Sequence, residues 1–462
     1  MSSSAPTHQL SVFAAELEYR DLPVAVQTTV HSLMLDYLRV ASIGERMPWS
    51  EWARAYARQT AGAGAAPVLY GGSPLDPVSA VFLNTVYAGS LDADDVHVGA
   101  MLHPGCIVFS AALAIGQSRH ISGERVLAAV VAGYEAMIRI ALAIQPSHFK
   151  RGFQSTSTCG VFGAAVAAAT LLATGSDRAA RIADAIGIGA SFCGGLTQFY
   201  HSGSTVKRIH AAQAASSGVR AALLVDTGFS GPNDILEGKD GFARAYADSS
   251  DFWLLSDGLG DTYRLLEVAV KPHACSARVL SAVEAAAGLC RTHGIVGEDV
   301  ETITLGIPKV IQGRLTVNEP QDLQAAQMSA PFSVALAICK DTGEAGFALN
   351  VDDFDEGLRD PLVRHLAGLV ECVLDSEVEQ TSTSASVSAR LTLTLKSGGR
   401  HSVLVIAPKG SASRPFAPED HEARMRAELG RRYLPEHVDG VVAQVRALAD
   451  SPDVARLATW LA

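Results

Sequence analysis

Three carboxylates (Asp92, Asp94 and Asp95) and two imidazoles (His97 and His103) fall within a dozen residues of one another in the segment 90–105. Apolar, small-residue segments flank it at 80–88 and 107–115. Polar groups set between two core segments must be hydrogen-bonded, solvated or put to use, because burying them unpaired is costly. Pro104-Gly105 breaks the backbone and places His103 on a loop or at a helix edge. A histidine there, with a carboxylate near it to set its tautomer, is suited to acid–base chemistry near neutral pH. The same residues also read as an acidic helix start and a turn that carries ordinary surface histidines.

Two further polar islands interrupt apolar sequence. Residues 147–160 form a partly basic loop that runs into an Ala-rich helix expected over 161–173. Serine and threonine there can cap the helix, and its N-terminal amides make a natural anion site. Capping alone accounts for the hydroxyls; a bound carboxylate would also use Lys150 and Arg151. Residues 197–210 are the second island, ahead of a helix expected over 211–227.

Composition narrows the class. A chain of 462 residues has room for a large core and is most consistent with two domains. With 48% hydrophobic residues and only 18% charged, much of it must lie in closely packed, small-residue helices. A formal net charge of −11 argues against a nucleic-acid or anionic-membrane partner, though not against a basic pocket for a small anion. The seven cysteines include no CxxC pair, which points to buried thiols in a reducing compartment, not to disulfides, zinc or iron–sulfur ligation. Residues 1–7 lack the order of a signal peptide, and the apolar run 126–144 carries Glu135 and Arg139, so no bilayer span is expected. A soluble, cytoplasmic protein is the expectation.

The elements that must position the polar islands follow from periodicity. Helical spacing runs through 9–46, with a turn at Leu22-Pro23, and through 49–59; residues 61–77, dense in Gly, Ala and Pro, read as loop. Helices are expected over 80–88, 106–116, 125–144 and 176–195. After about residue 265 the pattern changes: 302–307 and 387–395 alternate with period two, and 402–406 is β-prone, with Ser397-Gly-Gly as a hairpin turn between the last two. Helical segments at 277–292, 333–338 and 360–374 make this part α+β, and helices return at 421–429 and 438–448. The fold expected is mainly α: a large helical domain built from both chain ends (1–269 and 409–462), with a smaller α+β lid domain inserted at 270–408.

Several motifs, taken in order, resemble the MmgE/PrpD family. They are Leu91-Asp-Ala-Asp-Asp-Val-His, Leu102-His-Pro-Gly, Gly152-Phe-Gln-Ser-Thr-Ser-Thr-Cys-Gly, Val206-Lys-Arg-Ile-His-Ala-Ala, Gly228-Phe-Ser-Gly-Pro-Asn and Lys271-Pro-His-Ala-Cys. The family includes 2-methylcitrate dehydratase, cis-aconitate decarboxylase and iminodisuccinate epimerase. The resemblance implies a helical domain with an α+β lid, a site in the cleft between them, usually a homodimer, a small anionic substrate, and no metal or organic cofactor. These reactions all make or quench a carbanion-like centre next to a carboxylate, which calls for a positioned base or acid and cations to hold the charge.

Carried over by position, Asp92 would orient the base or bind a substrate hydroxyl, and His103 would transfer the proton. Lys207 would pair with a substrate carboxylate, and Lys271 would close over the anion. Taken singly, these residues also read as a capping aspartate, a loop histidine and two solvated lysines. Departures from the family bear on substrate. Gln154 stands where many relatives have histidine and cannot transfer a proton; His148, Tyr200 and His201 are its candidate replacements. Val96 replaces a threonine, and His273, in the lid motif, takes a position where tyrosine is common. His97, Arg151, Gln154, Lys271 and His273 are the expected substrate-binding set, with His103, Asp92 and Lys207 catalytic.

The leading expectation is a lyase, a dehydratase or decarboxylase acting on a small polycarboxylate or related acid. An epimerase of the iminodisuccinate type is the first alternative, and an inactive binding homologue the second. A metal centre built from Asp92, Asp94, Asp95, His97 and His103 is not expected, since residues close in sequence need not converge on one ion.

Overall fold

A computed structural model describes residues 5–199, 204–340 and 348–461 of the protein. It is mainly α-helical, and its internal contacts divide it into two units. The first comprises 5–199, 205–268 and 417–461; the second centres on 269–416.

In the first unit, helix Pro77–Gly89 begins where Asp76 caps it, accepting from the Val78 and Ser79 amides at 3.1 Å, with Pro77 in the first turn. Helix Gly105–Ser118 follows the polar segment; helices Gly123–Ile144 and Ser155–Leu172 are almost wholly buried among their neighbours, and Lys207–Asp226 is buried along most of its length. Small residues permit that packing. A Cβ on Gly218 would stand 2.4 Å from the Val161 carbonyl oxygen, so helix Lys207–Asp226 can approach Ser155–Leu172 only with glycine there. From the C-terminal segment, helix Pro418–Leu429 packs on Val24–Gly44.

Two helices, Gly123–Ile144 and Ser155–Leu172, are long and apolar enough to cross a membrane, contrary to the expectation from 126–144. Both are 94% buried within the protein over their most apolar stretch, as core helices are. The first also carries the buried Arg139–Glu135 pair at 2.9 Å.

Residues 61–77, expected as loop, contain an irregular two-stranded ribbon, β1 (Ala63–Val68) and β2 (Gly72–Leu75). Their Gly, Ala and Pro content hides strand propensity, and the register shifts twice. In the second unit, β3 (Val300–Ile307), β4 (Val370–Leu374), β5 (Ala389–Leu395) and β6 (Arg400–Val405) form one sheet in the order β4-β3-β5-β6. β3 pairs parallel with β4 and antiparallel with β5, and β5–β6 is the hairpin expected at Ser397-Gly-Gly. The segment 360–374 was expected to be one helix; it is helix Pro361–Leu369 followed by β4. A short apolar run fits either state, and pairing with β3 decides it. Residues 409–416 stay with this unit, because the Val270 amide donates to the Gly410 carbonyl (2.8 Å) and Arg414 pairs with Glu284.

Two helices begin earlier than the sequence suggested. Ser155–Leu172 starts six residues ahead of 161, and Lys207–Asp226 four ahead of 211. Polar residues expected on loops therefore sit in first helical turns, next to the acidic segment.

Candidate active site

The segment between helices Pro77–Gly89 and Gly105–Ser118 is irregular but extensively tied down. Asp92 has φ +58°, a left-handed conformation that aspartate tolerates better than most residues. Trp49 Nε1 donates to Ser90 Oγ (2.6 Å), and the Arg208 guanidinium donates to the Ser90 carbonyl while lying 3.5 Å from the Trp49 ring centroid. Arg208 thus fastens the start of helix Lys207–Asp226 to this loop. Lys207, one residue earlier, places Nζ 2.5 Å from Asp92 Oδ2. A cation at a helix N-terminus opposes the helix dipole, and the Asp92 carboxylate offsets that cost.

His103 is oriented by its neighbours. Its Nδ1 lies 2.9 Å from the Asp95 carbonyl and 3.3 Å from Asp94 Oδ1. A carbonyl only accepts, so Nδ1 carries a hydrogen, which leaves Nε2 as the nitrogen that can take or give a proton; Nε2 has no hydrogen-bond partner among the described residues. The His103 amide is held by Thr156 Oγ1 (3.2 Å), in the first turn of helix Ser155–Leu172. Asp94, Asp92 and His103 bring their polar atoms within 4.8 Å of one another.

Asp95 supports this arrangement from beneath. Its Oδ1 accepts from the Gly105 amide (2.8 Å) and its Oδ2 from the Tyr134 hydroxyl (2.7 Å). Burial pushes its carboxyl up to about 7, against the Tyr134 and Gly105 hydrogen bonds, and Asp94 adds to the rise. Position 105 requires glycine: a Cβ there would lie 2.7 Å from the Tyr134 oxygen and 2.8 Å from the Asp95 carboxylate.

His97 is engaged at both ring nitrogens. The Ala100 amide donates to Nδ1 (3.0 Å), so Nε2 carries the hydrogen and donates to Glu267 Oε2 (3.0 Å). The pairing of His97 with Leu102 closes a tight turn that ends at His103. Burial raises the Glu267 carboxyl, but hydrogen bonds from His97 and Arg264 outweigh it and hold the group below its ordinary value. Glu267 is in turn anchored through helix Gly123–Ile144. Glu135 Oε1 accepts from the Leu265 amide (2.9 Å), and Arg139 donates to the Asp257 and Thr262 carbonyls (2.7 Å each). His97 accordingly positions the loop and has no ring nitrogen free for a substrate.

The other expected residues fall elsewhere. Gln154 is the N-cap of helix Ser155–Leu172, its Oε1 accepting from the Ser157 amide at 2.6 Å. The serines and threonines expected to cap this helix lie inside it. Arg151 forms a surface ion pair with Asp248 (3.0 Å). His148 is a core residue: its nitrogens contact the Tyr246 carbonyl (3.1 Å) and Thr158 Oγ1 (2.8 Å), its ring stacks on Phe153, and burial pushes it down to about 4. Tyr200 and His201 lie outside the described residues. Lys271 and His273 belong to the second unit, both buried, with His273 Nδ1 accepting from the Leu349 amide at 3.0 Å.

Glu267, Tyr134, Thr156 and the clamping role of Arg208 were not legible in the sequence. Arg208 and Thr156 carried a signal, since both lie within family motifs, Arg208 beside Lys207. Asp92, Asp94 and His103 have the residue types and the spacing to hold a divalent ion. The Lys207 ammonium is already placed against Asp92, so one of those ligands is neutralised by a resident cation.

Paired carboxylates, an oriented imidazole and a lysine thus stand together between core helices. The MmgE/PrpD N-terminal domain matches residues 8–254 and the MmgE/PrpD C-terminal domain residues 273–448; the chain belongs to the MmgE/PrpD family. Among curated relatives, cis-aconitate decarboxylase of Aspergillus terreus is 26% identical, over 88% of this chain and 86% of that protein. The cis-aconitate decarboxylase-like protein oryM of Aspergillus oryzae is 25% identical, over 98% of this chain and 96% of its own. Human cis-aconitate decarboxylase is 26% identical, over 84% and 80%.

Proposed function

We propose that this protein is a lyase that breaks a C–C or C–O bond next to a carboxylate of a small polycarboxylate, with decarboxylation of an unsaturated tricarboxylate such as cis-aconitate as the leading case. Likeness to decarboxylases over most of the chain supports a lyase of this family. The observation that carries the reading is the open Nε2 of His103 beside the Lys207–Asp92 pair.

Lys207 supplies positive charge for a substrate carboxylate, with Asp92 setting where that charge stands. In decarboxylation the C–CO2 bond breaks, its electron pair shifts through the adjacent double bond, and the far carbon takes a proton. His103 Nε2 delivers that proton, and Asp94 beside Nδ1 stabilises the imidazolium from which it comes. In dehydration the same nitrogen removes a proton and the hydroxide leaves from the neighbouring carbon. Neither route needs a metal or an organic cofactor. Epimerisation needs a second proton carrier on the opposite face of the substrate, and Gln154 cannot be one. A homodimer in the cytoplasm, without nucleic-acid or membrane partners, completes the proposal.

Proton NMR in D2O of cis-aconitate, 2-methylcitrate, citrate, malate and iminodisuccinate with the enzyme tests it. Turnover of a polycarboxylate is expected, with one solvent deuteron in the product of decarboxylation and none in that of dehydration, and reduced roughly 10²–10⁴-fold in His103→Ala. Deuterium exchange with inversion but no bond cleavage would establish the epimerase instead. Silence across the panel would reject the lyase.

A further inference from the structure

Helix Lys207–Asp226 brings a second histidine to the site. His210 lies three residues after Lys207, on the same helix face. It is only 8% exposed, and its Nδ1 is buried with no hydrogen-bond partner. Its other nitrogen, Nε2, is not among the buried unpaired atoms and has no partner among the described residues, so it is the edge that solvent reaches. Burial, and then the charge of Lys207, pushes the ring down to about 4, leaving a neutral imidazole at pH 7. An N–H buried unpaired at Nδ1 would be costly, so the single hydrogen of the neutral ring sits on Nε2, where an acceptor from outside the fold can meet it.

Its surroundings belong to the active site. Ser157 Oγ reaches the His210 carbonyl (3.4 Å), and the preceding residue, Thr156, holds the His103 amide. The first turn of helix Ser155–Leu172 therefore touches both histidines. Gly195, at φ +126°, adjoins the ring: a Cβ there would stand 3.9 Å from His210 Cδ2 and collide with Ser157 at 2.4 Å. Glycine at 195 thus spares Ser157, and Phe199 packs against the His210 ring with centroids 5.7 Å apart.

We propose that His210 contacts the substrate directly, its Nε2–H donating a hydrogen bond to a carboxylate of the same polycarboxylate that Lys207 attracts. Nδ1 then keeps its lone pair in the core, and the outward nitrogen carries the hydrogen. A neutral donor one helical turn from a cation suits an acid with two carboxylates on neighbouring carbons, one at each group. This inference rests on the polycarboxylate reading above.

The test uses the full chain with 13C-labelled histidine and tricarballylate, a saturated tricarboxylate that cannot react. The His210 Cε1–H signal, assigned by its loss in His210→Gln, is expected to move saturably on titration. His210→Phe, which fills the space without a donor, is expected to weaken tricarballylate binding about tenfold. His210→Gln, which returns an N–H, is expected to recover most of that affinity. If the His103 signal moves and the His210 signal does not, the proposal fails while the proposed function stands. A shift at His210 without turnover of any acid leaves the contact in place and removes the lyase. Neither binding nor turnover removes both. Equal weakening by Phe and Gln, with thermal stability falling in parallel, would assign His210 a structural role only.

Discussion

Lys207 Nζ stands 2.5 Å from Asp92 Oδ2, with 17% and 7% of the two side chains exposed. A pair this sheltered differs from a surface ion pair: removing one partner strands the other charge where water hardly reaches it. Asp92→Asn and Lys207→Met are each expected to lower the urea midpoint, and the double variant to recover part of the loss. The coupling should be about 0.5–3 kcal/mol. Turnover should stay low in all three, because the cation proposed to hold the substrate carboxylate is lost or displaced. Additive effects on stability would show that the pair is not formed in solution.

His97 and Glu267 hold the loop that presents His103, without touching the substrate in the proposed mechanism. His97→Phe and Glu267→Ala should therefore reduce kcat by up to about 10²-fold through misplacement of His103. Each should also cost on the order of 1–3 kcal/mol in denaturant unfolding, since a half-buried or buried polar partner is left unmatched. Full activity in either variant would detach this scaffold from catalysis.

Asp95 predicts a pH-dependent stability. Its carboxyl is raised from an unfolded value of 3.8 to about 7 in the folded protein, chiefly by burial. A raised carboxyl binds its proton more tightly when folded, so its contribution is fully present below about pH 4 and is lost as pH rises through 7. Asp95→Asn, which cannot ionise, should gain stability relative to the wild type between pH 5 and pH 8, by on the order of 2–4 kcal/mol. Urea unfolding at pH 5, 6.5 and 8 measures the difference. Parallel pH profiles for the two proteins would mean that Asp95 titrates alike folded and unfolded.

Asp92, Asp94 and His103 are spaced for a metal, yet Lys207 already neutralises Asp92. Turnover by the wild type is expected to be unchanged by prolonged treatment with EDTA. In Lys207→Ala, removing the ammonium should raise affinity for Mn2+ relative to the wild type, measured by calorimetry. Loss of wild-type activity on chelation, restored by a divalent ion, would overturn metal-free chemistry.

Much of this protein was legible in its residue order. Apolar runs marked the helices around 80–88 and 125–144, alternation marked β3 and β5, and β propensity marked β6, because those signals are local. The cluster Asp92–His103 was visible for the same reason: its members are neighbours in the chain. Non-local pairing was hidden. β4 is a strand because β3 lies beside it, and Glu267 meets His97 across 170 residues. Helices Ser155–Leu172 and Lys207–Asp226 begin among polar residues that read as loops, since tertiary contacts through Thr156 and Arg208 outweigh weak local propensity.

The sequence by itself determined which groups could do chemistry, that helices would carry them, and the family to which the chain belongs. Only the tertiary structure decided how they are used. It gave His103 an open nitrogen and occupied both of those on His97, made Gln154 a helix cap, and set Lys207 against Asp92. A side chain's chemistry follows from its type, but its availability depends on which partners folding brings within about 3 Å of it.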